Sequence, residues 1–136
     1  MILLDTNVIS DSMRIQPDSR VLHWLDQHPA STLFISAITV DEISFGIEVL
    51  LAGRKKSRLI SVFSRILDVF SERVISFDAK AAVESAKFRG QRRVQGTPMS
   101  LADSQIAGIA KSKGFALATL NVQDFRGIDL VVVDPR

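Results

Sequence analysis

Four acidic residues stand where the chain passes from one predicted element to the next, and they are the side chains best suited to chemistry. They are Asp5, Glu42, Asp103 and Asp124. Gathered in one cleft, four carboxylates would repel one another and raise each other's pKa values unless a cation neutralised their charge. The pattern therefore predicts a divalent metal site.

The rest of the sequence limits which metal could bind there. The chain has no cysteine, and its only histidines, His23 and His28, lie far in sequence from the four acids. An all-oxygen ligand set favours Mg²⁺ or Mn²⁺ over zinc. Magnesium keeps several waters, which leaves places for phosphate oxygens and an attacking water. The chemistry indicated is phosphodiester hydrolysis.

Each acid also has an ordinary structural interpretation. Asp103 lies in a predicted first helical turn, where the helix dipole favours any carboxylate. Glu42 stands three residues after Thr39 and could complete a capping box, and Asp124 could end a turn. Asp5 differs, because it follows four apolar residues directly and no capping role there requires an acid rather than Ser or Asn. Taken singly, only Asp5 favours a functional interpretation.

Length and composition set the outer limits. The 136 residues, 46% of them hydrophobic and 24% charged, predict one folded domain over residues 1–136. No apolar run approaches the ~20 residues of a membrane span, and the opening MILLDTN lacks the features of a signal peptide. We therefore expect a cytoplasmic protein, with which the absence of cysteine agrees.

Basic residues only slightly outnumber acidic ones, but several of them lie in two groups along the sequence. Seventeen Lys and Arg against fifteen Asp and Glu give a net charge of +2, too small to indicate nucleic-acid binding by itself. One group is Arg54, Lys55, Lys56 and Arg58, and the other is Lys87, Arg89, Arg92 and Arg93. A solvated helix face explains either group alone, although both could hold an RNA backbone.

Strand and helix patterns alternate along the whole chain. Strands are predicted at residues 1–5, 32–35, 74–77, 115–120 and 128–133. Helices are predicted at 18–28, from Ser36 or Thr39 to about 50, at 59–70, from the cap Asp78 to about 93, and from the cap Ser100 to 114. Such alternation predicts an α/β fold with a central, mainly parallel sheet of four to five strands flanked by helices. Ligands of such sheets bind at the carboxyl ends of the strands, near which all four acids fall.

Four segments resemble, in order and spacing, the motifs of VapC-type PIN-domain toxins, most closely the FitB-like group. They are LLDTNVIS (3–10), SAITVDEISFGI (36–47), SLADSQIAGIAKSKG (100–114) and ATLNVQDF (118–125). The likeness covers the chain from end to end. It implies a single PIN domain with a three-layer fold and the activity of a ribonuclease that forms the toxin of a type II toxin-antitoxin pair.

The resemblance also assigns roles to residues. It makes Asp5, Glu42 and Asp103 the metal-binding acids and Thr6 and Asn7 a pair that positions metal waters or the phosphate.

At the fourth position of the site, relatives carry Asp where this chain has Asn121, or Asn there with an acid three residues later, as with Asp124. Either Asp124 or Asn121 completes the site, and one or two Mg²⁺ (or Mn²⁺) ions remain possible. In the implied mechanism Asp5 and Asp103 anchor the metal while Glu42 orients the water that attacks an RNA phosphate.

Partners and alternatives follow from the same resemblance. It implies an RNA substrate, a cognate antitoxin protein and a homodimer. The apolar helix faces around Trp24 or Phe63 are candidate interfaces, although burial in the core is the more ordinary fate of each. The main alternative is a catalytically silent PIN-like module that binds RNA or protein. A phosphatase with an aspartyl nucleophile would want a second acid at position 7, where this chain has Asn7. A receiver domain would need a paired phosphoacceptor Asp and Lys, and no convincing pair is present.

Overall fold

The computed structural model describes residues 1–136 as five strands and six α-helices. The strands are β1 (Ile2–Leu4), β2 (Leu33–Ser36), β3 (Val74–Ile75), β4 (Ala116–Ala118) and β5 (Val132–Val133). The helices are α1 (Thr6–Ser12), α2 (Ser19–Asp26), α3 (Ala37–Glu48), α4 (Arg54–Val69), α5 (Ala79–Val94) and α6 (Leu101–Lys113). The predicted α/β class is confirmed.

The strands form one sheet in the order β3-β2-β1-β4-β5, and every neighbouring pair is parallel. β1 lies at the centre, where Leu3 is in register with Phe34 of β2 and Leu117 of β4. In a parallel sheet all strands end at the same edge, so the segments that follow β1, β2 and β4 are brought together there.

Apolar side chains alternate along the strands and create a core on each face of the sheet. Leu4, Ile35 and Ala118 belong to the core shared with α1 to α4. Leu3 and Leu117 belong to the opposite core, shared with α5 and α6. This alternation follows from the two-residue period of a strand, and it gives the three layers that the sequence predicted.

Helices α5 and α6 pack closely because Gly108 lies at their contact. A Cβ atom built on Gly108 would collide with the Ala81 carbonyl oxygen and lie 2.8 Å from the Ser85 nitrogen. Only a residue without a side chain fits there. The contact fixes how α6, the helix that carries Asp103, sits against α5.

Three helices begin at the predicted caps. Ser36, Asp78 and Ser100 each accept a hydrogen bond from the backbone N–H three residues later. Ser36 is therefore the start of α3, and the alternative start at Thr39 was wrong. Helix α6 ends at Gly114, whose φ of 71° favours glycine.

The apolar pattern missed one helix and overextended four of the five strands, the last of them most. Helix α1 has only seven residues, and its Thr, Asn and Ser are weak helix formers, so its periodicity is faint. The last strand is Val132–Val133 rather than 128–133, because pairing with β4 reaches only those two residues. No helix is both long and apolar enough to cross a membrane.

The acidic site at the carboxyl edge of the sheet

Asp5 is the most deeply buried of the four acids, with 5% of its surface exposed. It directly follows β1 and is the N-cap of α1, where one carboxylate oxygen accepts from the Thr6 backbone N–H at 2.8 Å. The other oxygen accepts from the Thr119 hydroxyl at 2.7 Å. Asp5 thus does have a capping role, but Ser or Asn would also cap α1. Capping alone still leaves a buried carboxylate unexplained.

Thr119 was missed by the sequence analysis and is the centre of a hydrogen-bond network. Its fully buried hydroxyl donates its one hydrogen to Asp5 and accepts from the side-chain amide of Asn7 at 3.2 Å and from the Asn121 backbone N–H at 3.1 Å. The side-chain oxygen of Asn7 accepts in turn from the Leu120 N–H at 3.1 Å. The network ties α1 to the end of β4. Its only sequence signal is a threonine near the end of the strand predicted at 115–120.

Glu42 is held by Thr6, since the Thr6 hydroxyl donates to a Glu42 carboxylate oxygen at 2.7 Å. The Thr39 hydroxyl lies 2.9 Å from that of Thr6 and receives a hydrogen bond from the Ser36 hydroxyl. Because the Thr6 hydroxyl donates its only hydrogen to Glu42, the Thr39 hydroxyl must donate to Thr6. The capping-box interpretation of Glu42 was wrong, and the acid instead faces α1.

Asp103 and Asp124 approach the site from α6 and from the short 3-10 turn Val122–Phe125. The backbone N–H of Asp103 donates to the Ser100 hydroxyl at 3.1 Å, which fixes the first turn of α6. Burial raises the pKa of Asp103 above its ordinary value, and the charges of Asp124 and Glu42 raise it further. Asp103 therefore interacts through its charge with both Asp124 and Glu42.

The pKa of the Asp5 carboxyl is also raised. Burial raises its pKa from 3.8 to about 6, hydrogen bonds from Thr119 and Thr6 oppose the rise, and the charges of Asp103 and Glu42 add to it. No basic side chain counteracts the shift at Asp5. The structure thus brings Asp5, Glu42 and Asp103 within electrostatic range of one another, and the one protein cation that acts on the shifted pair, Arg92, lowers the pKa of Asp103 without cancelling its rise.

The donor set agrees with a hard divalent cation that keeps part of its water shell. No three acidic or histidine side chains converge closely enough to enclose an ion by themselves. Mg²⁺ does not require this, because it binds through one or two carboxylates and retains several waters. Burial raises the pKa of both Asp5 and Asp103, and a bound cation would favour the ionised form of these two carboxylates.

The basic groups predicted to hold RNA are in part structural. Arg92 is 8% exposed, and its guanidinium donates to the carbonyl and hydroxyl of Thr97 and to the carbonyls of Asp124 and Arg126. It cannot reach a phosphate from there, so the prediction was wrong for Arg92. Lys56 donates to the carbonyls of Glu48 and Leu50 at the end of α3.

The two histidines lie away from the acids. His23 is exposed, and the ring of His28 packs on Trp24 at a centroid distance of 4.2 Å. Their distance in sequence from the four acids is thus matched by their place in the fold. Neither is placed to serve as a catalytic base.

Comparison with known proteins decides the family. Residues 2–129 match the family described as PIN domain. The chain belongs to the PIN-domain family. This agrees with the position of the four motif segments, which supply every residue of the acidic site described above.

Individual relatives share both sequence and fold with this PIN domain. It is 39% identical to "Toxin FitB" of Neisseria gonorrhoeae over 99% of this chain and 98% of that protein. It is 35% identical to "VapC ribonuclease Y4jK" of Sinorhizobium fredii, over 99% and 97% respectively. The crystal structure of FitAcB from Neisseria gonorrhoeae superposes with a TM-score of 0.91 at 39% identity, covering 99% of this chain and 98% of that one. Other similar structures include a toxin-antitoxin complex and VapBC assemblies bound to DNA.

Proposed function

We propose that this PIN domain is a Mg²⁺- or Mn²⁺-dependent endoribonuclease and acts as the toxin of a type II toxin-antitoxin pair in the cytoplasm. The observation that supports this most strongly is the buried Asp5 carboxylate, which lies within electrostatic range of Asp103 and Glu42 with no basic side chain to balance it. A site that concentrates negative charge in this way is suited to a cation and, through it, to a phosphodiester.

The proposed role of each acid follows from how deeply it is buried. Asp5 and Asp103 would hold the ion. Burial disfavours the ionised form of both carboxyls, and a bound cation would stabilise that form. The bound ion supplies Lewis-acid chemistry, lowering the pKa of a water and neutralising charge on the phosphate.

Glu42 is more exposed, and the Thr6 hydroxyl fixes one of its oxygens, so its other oxygen can orient the attacking water. Asn7 and Asn121 position the substrate from the Thr119 network, and Asp124 completes the cleft.

This mechanism predicts the chemical ends of the products. Water attacks phosphorus, the bond from phosphorus to the 3′ oxygen breaks, and the leaving oxygen takes up a proton. The products then carry a 5′-phosphate and a 3′-hydroxyl, and the RNA 2′-hydroxyl takes no part. Products ending in a 2′,3′-cyclic phosphate would contradict the mechanism.

The decisive experiment compares RNA cleavage by the purified protein in Mg²⁺, in Mn²⁺ and in EDTA. Asp5→Ala and Glu42→Gln should lose cleavage, whereas Asp41→Asn, at the exposed neighbouring position of α3, should retain it. Circular dichroism confirms that each variant is folded. Cleavage that persists in EDTA or in Asp5→Ala would reject the nuclease assignment, and metal-independent RNA binding without cleavage would favour the silent module.

We also propose a cognate antitoxin as a partner, and an apolar groove offers it a docking surface. The groove is about 280 Å³ and lies between α1, α3 and α4, with Met13, Ile43 and Ile47 on its floor and Lys55 and Arg58 at its rim. An apolar segment flanked by acidic residues would match it. Suppression of cleavage on coexpression with the protein of the adjacent gene would support the pairing.

A homodimer remains a further proposal. Of the two fates that the sequence left open for Trp24 and Phe63, core packing is confirmed: Phe63 is buried in the core, and Trp24 packs against that same core. The exposed apolar side chains of α3 and its end, Phe45, Val49 and Leu51, are available to a second copy instead. Light scattering of the purified protein, alone and with Phe45→Glu, would measure the oligomeric state.

A further inference from the structure

A polar cavity adjoins the acidic site on the side of β4, and we call it the Arg126 pocket. It encloses about 540 Å³ and is lined among others by Asn121, Gln123, Asp124, Arg126, Asp134 and Arg136. Its volume lies in the range of small-molecule binding sites, roughly 300–1,000 Å³. A single nucleotide is a ligand of suitable size and polarity.

The pocket and the acidic site share a wall. Asp124 lines the pocket, and its charge also acts on Asp103. The Asn121 backbone N–H donates to the Thr119 hydroxyl, which in turn donates to Asp5, so two hydrogen bonds join the pocket wall to the deepest acid. A strand whose phosphate lies at the acids would place its next nucleotide at this pocket.

Contacts within the chain hold both sides of the pocket wall in place. Arg92 holds the carbonyls of Asp124 at 2.9 Å and Arg126 at 3.2 Å. On the other side, the Arg136 guanidinium donates to the Leu120 carbonyl at 2.8 Å and pairs with Asp134. A pocket fixed beforehand loses little conformational entropy when a ligand enters.

Besides the Asp124 carboxylate that the pocket shares with the acidic site, three side chains in the pocket are left free, and they are of the kinds that recognise nucleotides. The side-chain amides of Asn121 and Gln123 and the guanidinium of Arg126 have no hydrogen-bond or ion-pair partner within the chain, whereas Arg136 is occupied by Asp134. Amides present a donor and an acceptor to a base edge, and a guanidinium binds phosphate through paired donors. Unpaired bases of single-stranded RNA expose these edges.

We propose that the Arg126 pocket binds the nucleotide next to the cleaved bond of a single-stranded RNA, with Arg126 on its phosphate and Asn121 and Gln123 on its base. This rests on the proposed ribonuclease function. It makes Gln123 and Asn121 specificity-determining residues and gives Arg126 a contact with substrate that the acids do not supply.

The first measurement is steady-state cleavage of a short single-stranded RNA by Arg126→Gln. Loss of one guanidinium-phosphate contact should raise KM roughly tenfold, about 1.4 kcal/mol, while kcat stays within about threefold. The salt dependence of binding should also weaken by about one phosphate contact. Arg65→Gln, the same charge change on the exposed face of α4, should leave KM and salt dependence unchanged.

The second measurement tests base recognition with RNAs randomised on both sides of the cleaved bond. Gln123→Ala should flatten the base preference at one adjacent position and leave the others as in the parent protein. An unchanged preference at every position, together with an unchanged KM in Arg126→Gln, would overturn the proposal while leaving the nuclease intact.

A binding assay separates failure of the pocket from failure of the nuclease. Fluorescence anisotropy of a labelled single-stranded RNA is measured on the Glu42→Gln protein with and without Arg126→Gln. Weaker binding with Arg126→Gln supports the pocket even if no RNA is cleaved. Equal RNA binding, with loss of binding to the coexpressed antitoxin instead, would make the pocket a protein-docking site and overturn the proposal.

Discussion

The Thr119 hydroxyl and the Asp5 carboxylate are joined by a 2.7 Å hydrogen bond that determines how the acid is held. Thr119 has one hydrogen to give and two lone pairs, and Asn7 and Asn121 occupy the lone pairs. The hydrogen is therefore directed to Asp5 by the geometry of the network. Thr119 therefore positions Asp5 although it is not itself one of the four acids.

Replacing Thr119 by Val should remove the hydrogen bond that holds the Asp5 carboxylate. Three polar groups lose their partner, and we expect a free energy of unfolding lower by about 2–3 kcal/mol and cleavage lower by about 10-fold to 100-fold. Urea unfolding and steady-state kinetics measure the two effects. Thr119→Ser keeps the hydroxyl and should retain most activity; a valine variant as active as the parent would show that the network has no positioning role.

The raised pKa of Asp5 predicts how stability depends on pH in metal-free protein. Below about pH 4 the carboxyl is protonated both folded and unfolded, so it contributes nothing. Between about pH 4 and 6 only the unfolded chain ionises readily, so the free energy of unfolding falls, by at most about 3 kcal/mol, and stays low above pH 6. Denaturant unfolding in EDTA across this range measures the slope.

Two variants isolate the contribution of Asp5 to that slope. Asp5→Asn cannot ionise and should flatten the decline, whereas Asp41→Asn should keep it. Saturating Mg²⁺ should restore stability at pH 7 in the parent protein but not in Asp5→Asn. Identical slopes in the parent and in Asp5→Asn would mean that the Asp5 charge carries no penalty in the folded protein.

Arg92 should behave as a structural residue despite its charge. Arg92→Lys retains the charge but cannot make the forked contacts to Thr97, Asp124 and Arg126, and we expect a loss of about 2–3 kcal/mol in unfolding free energy. Arg93→Gln, the exposed neighbour on α5, should change it by less than about 0.5 kcal/mol. Equal stability of the two variants would contradict the burial argument.

Two glycines of the α5–α6 pair give a matched test of packing. At Gly108 an added methyl would meet the backbone of α5, so Gly108→Ala should lower the free energy of unfolding by about 1–3 kcal/mol. Gly90 lies within α5 with nothing within 4 Å of an added Cβ, so Gly90→Ala should raise it by up to about 1 kcal/mol. Thermal unfolding of both variants distinguishes a steric effect from a helix-propensity effect.

Several features of the protein were decided by the sequence alone. Alternating apolar strands and capped helices determined the α/β class, and the caps Ser36, Asp78 and Ser100 were correctly identified because capping depends on residues only a few positions apart. The identity of the acids followed from their place at element ends, since parallel strands all finish at one edge. Local pattern and this one topological rule were enough for these inferences.

The tertiary structure decided what depends on partners distant in sequence. Thr119 bonds Asp5 across 114 positions, Thr6 bonds Glu42 across 36, and Arg92 is buried by carbonyls more than thirty residues away. The neighbouring sequence of a threonine or an arginine does not show whether its side chain is hydrated or hydrogen-bonded to residues distant in the chain. Helix α1 was hidden for a related reason: buried Val8 and Ile9 and the cap Asp5 stabilise it, whereas its own helix propensity is low.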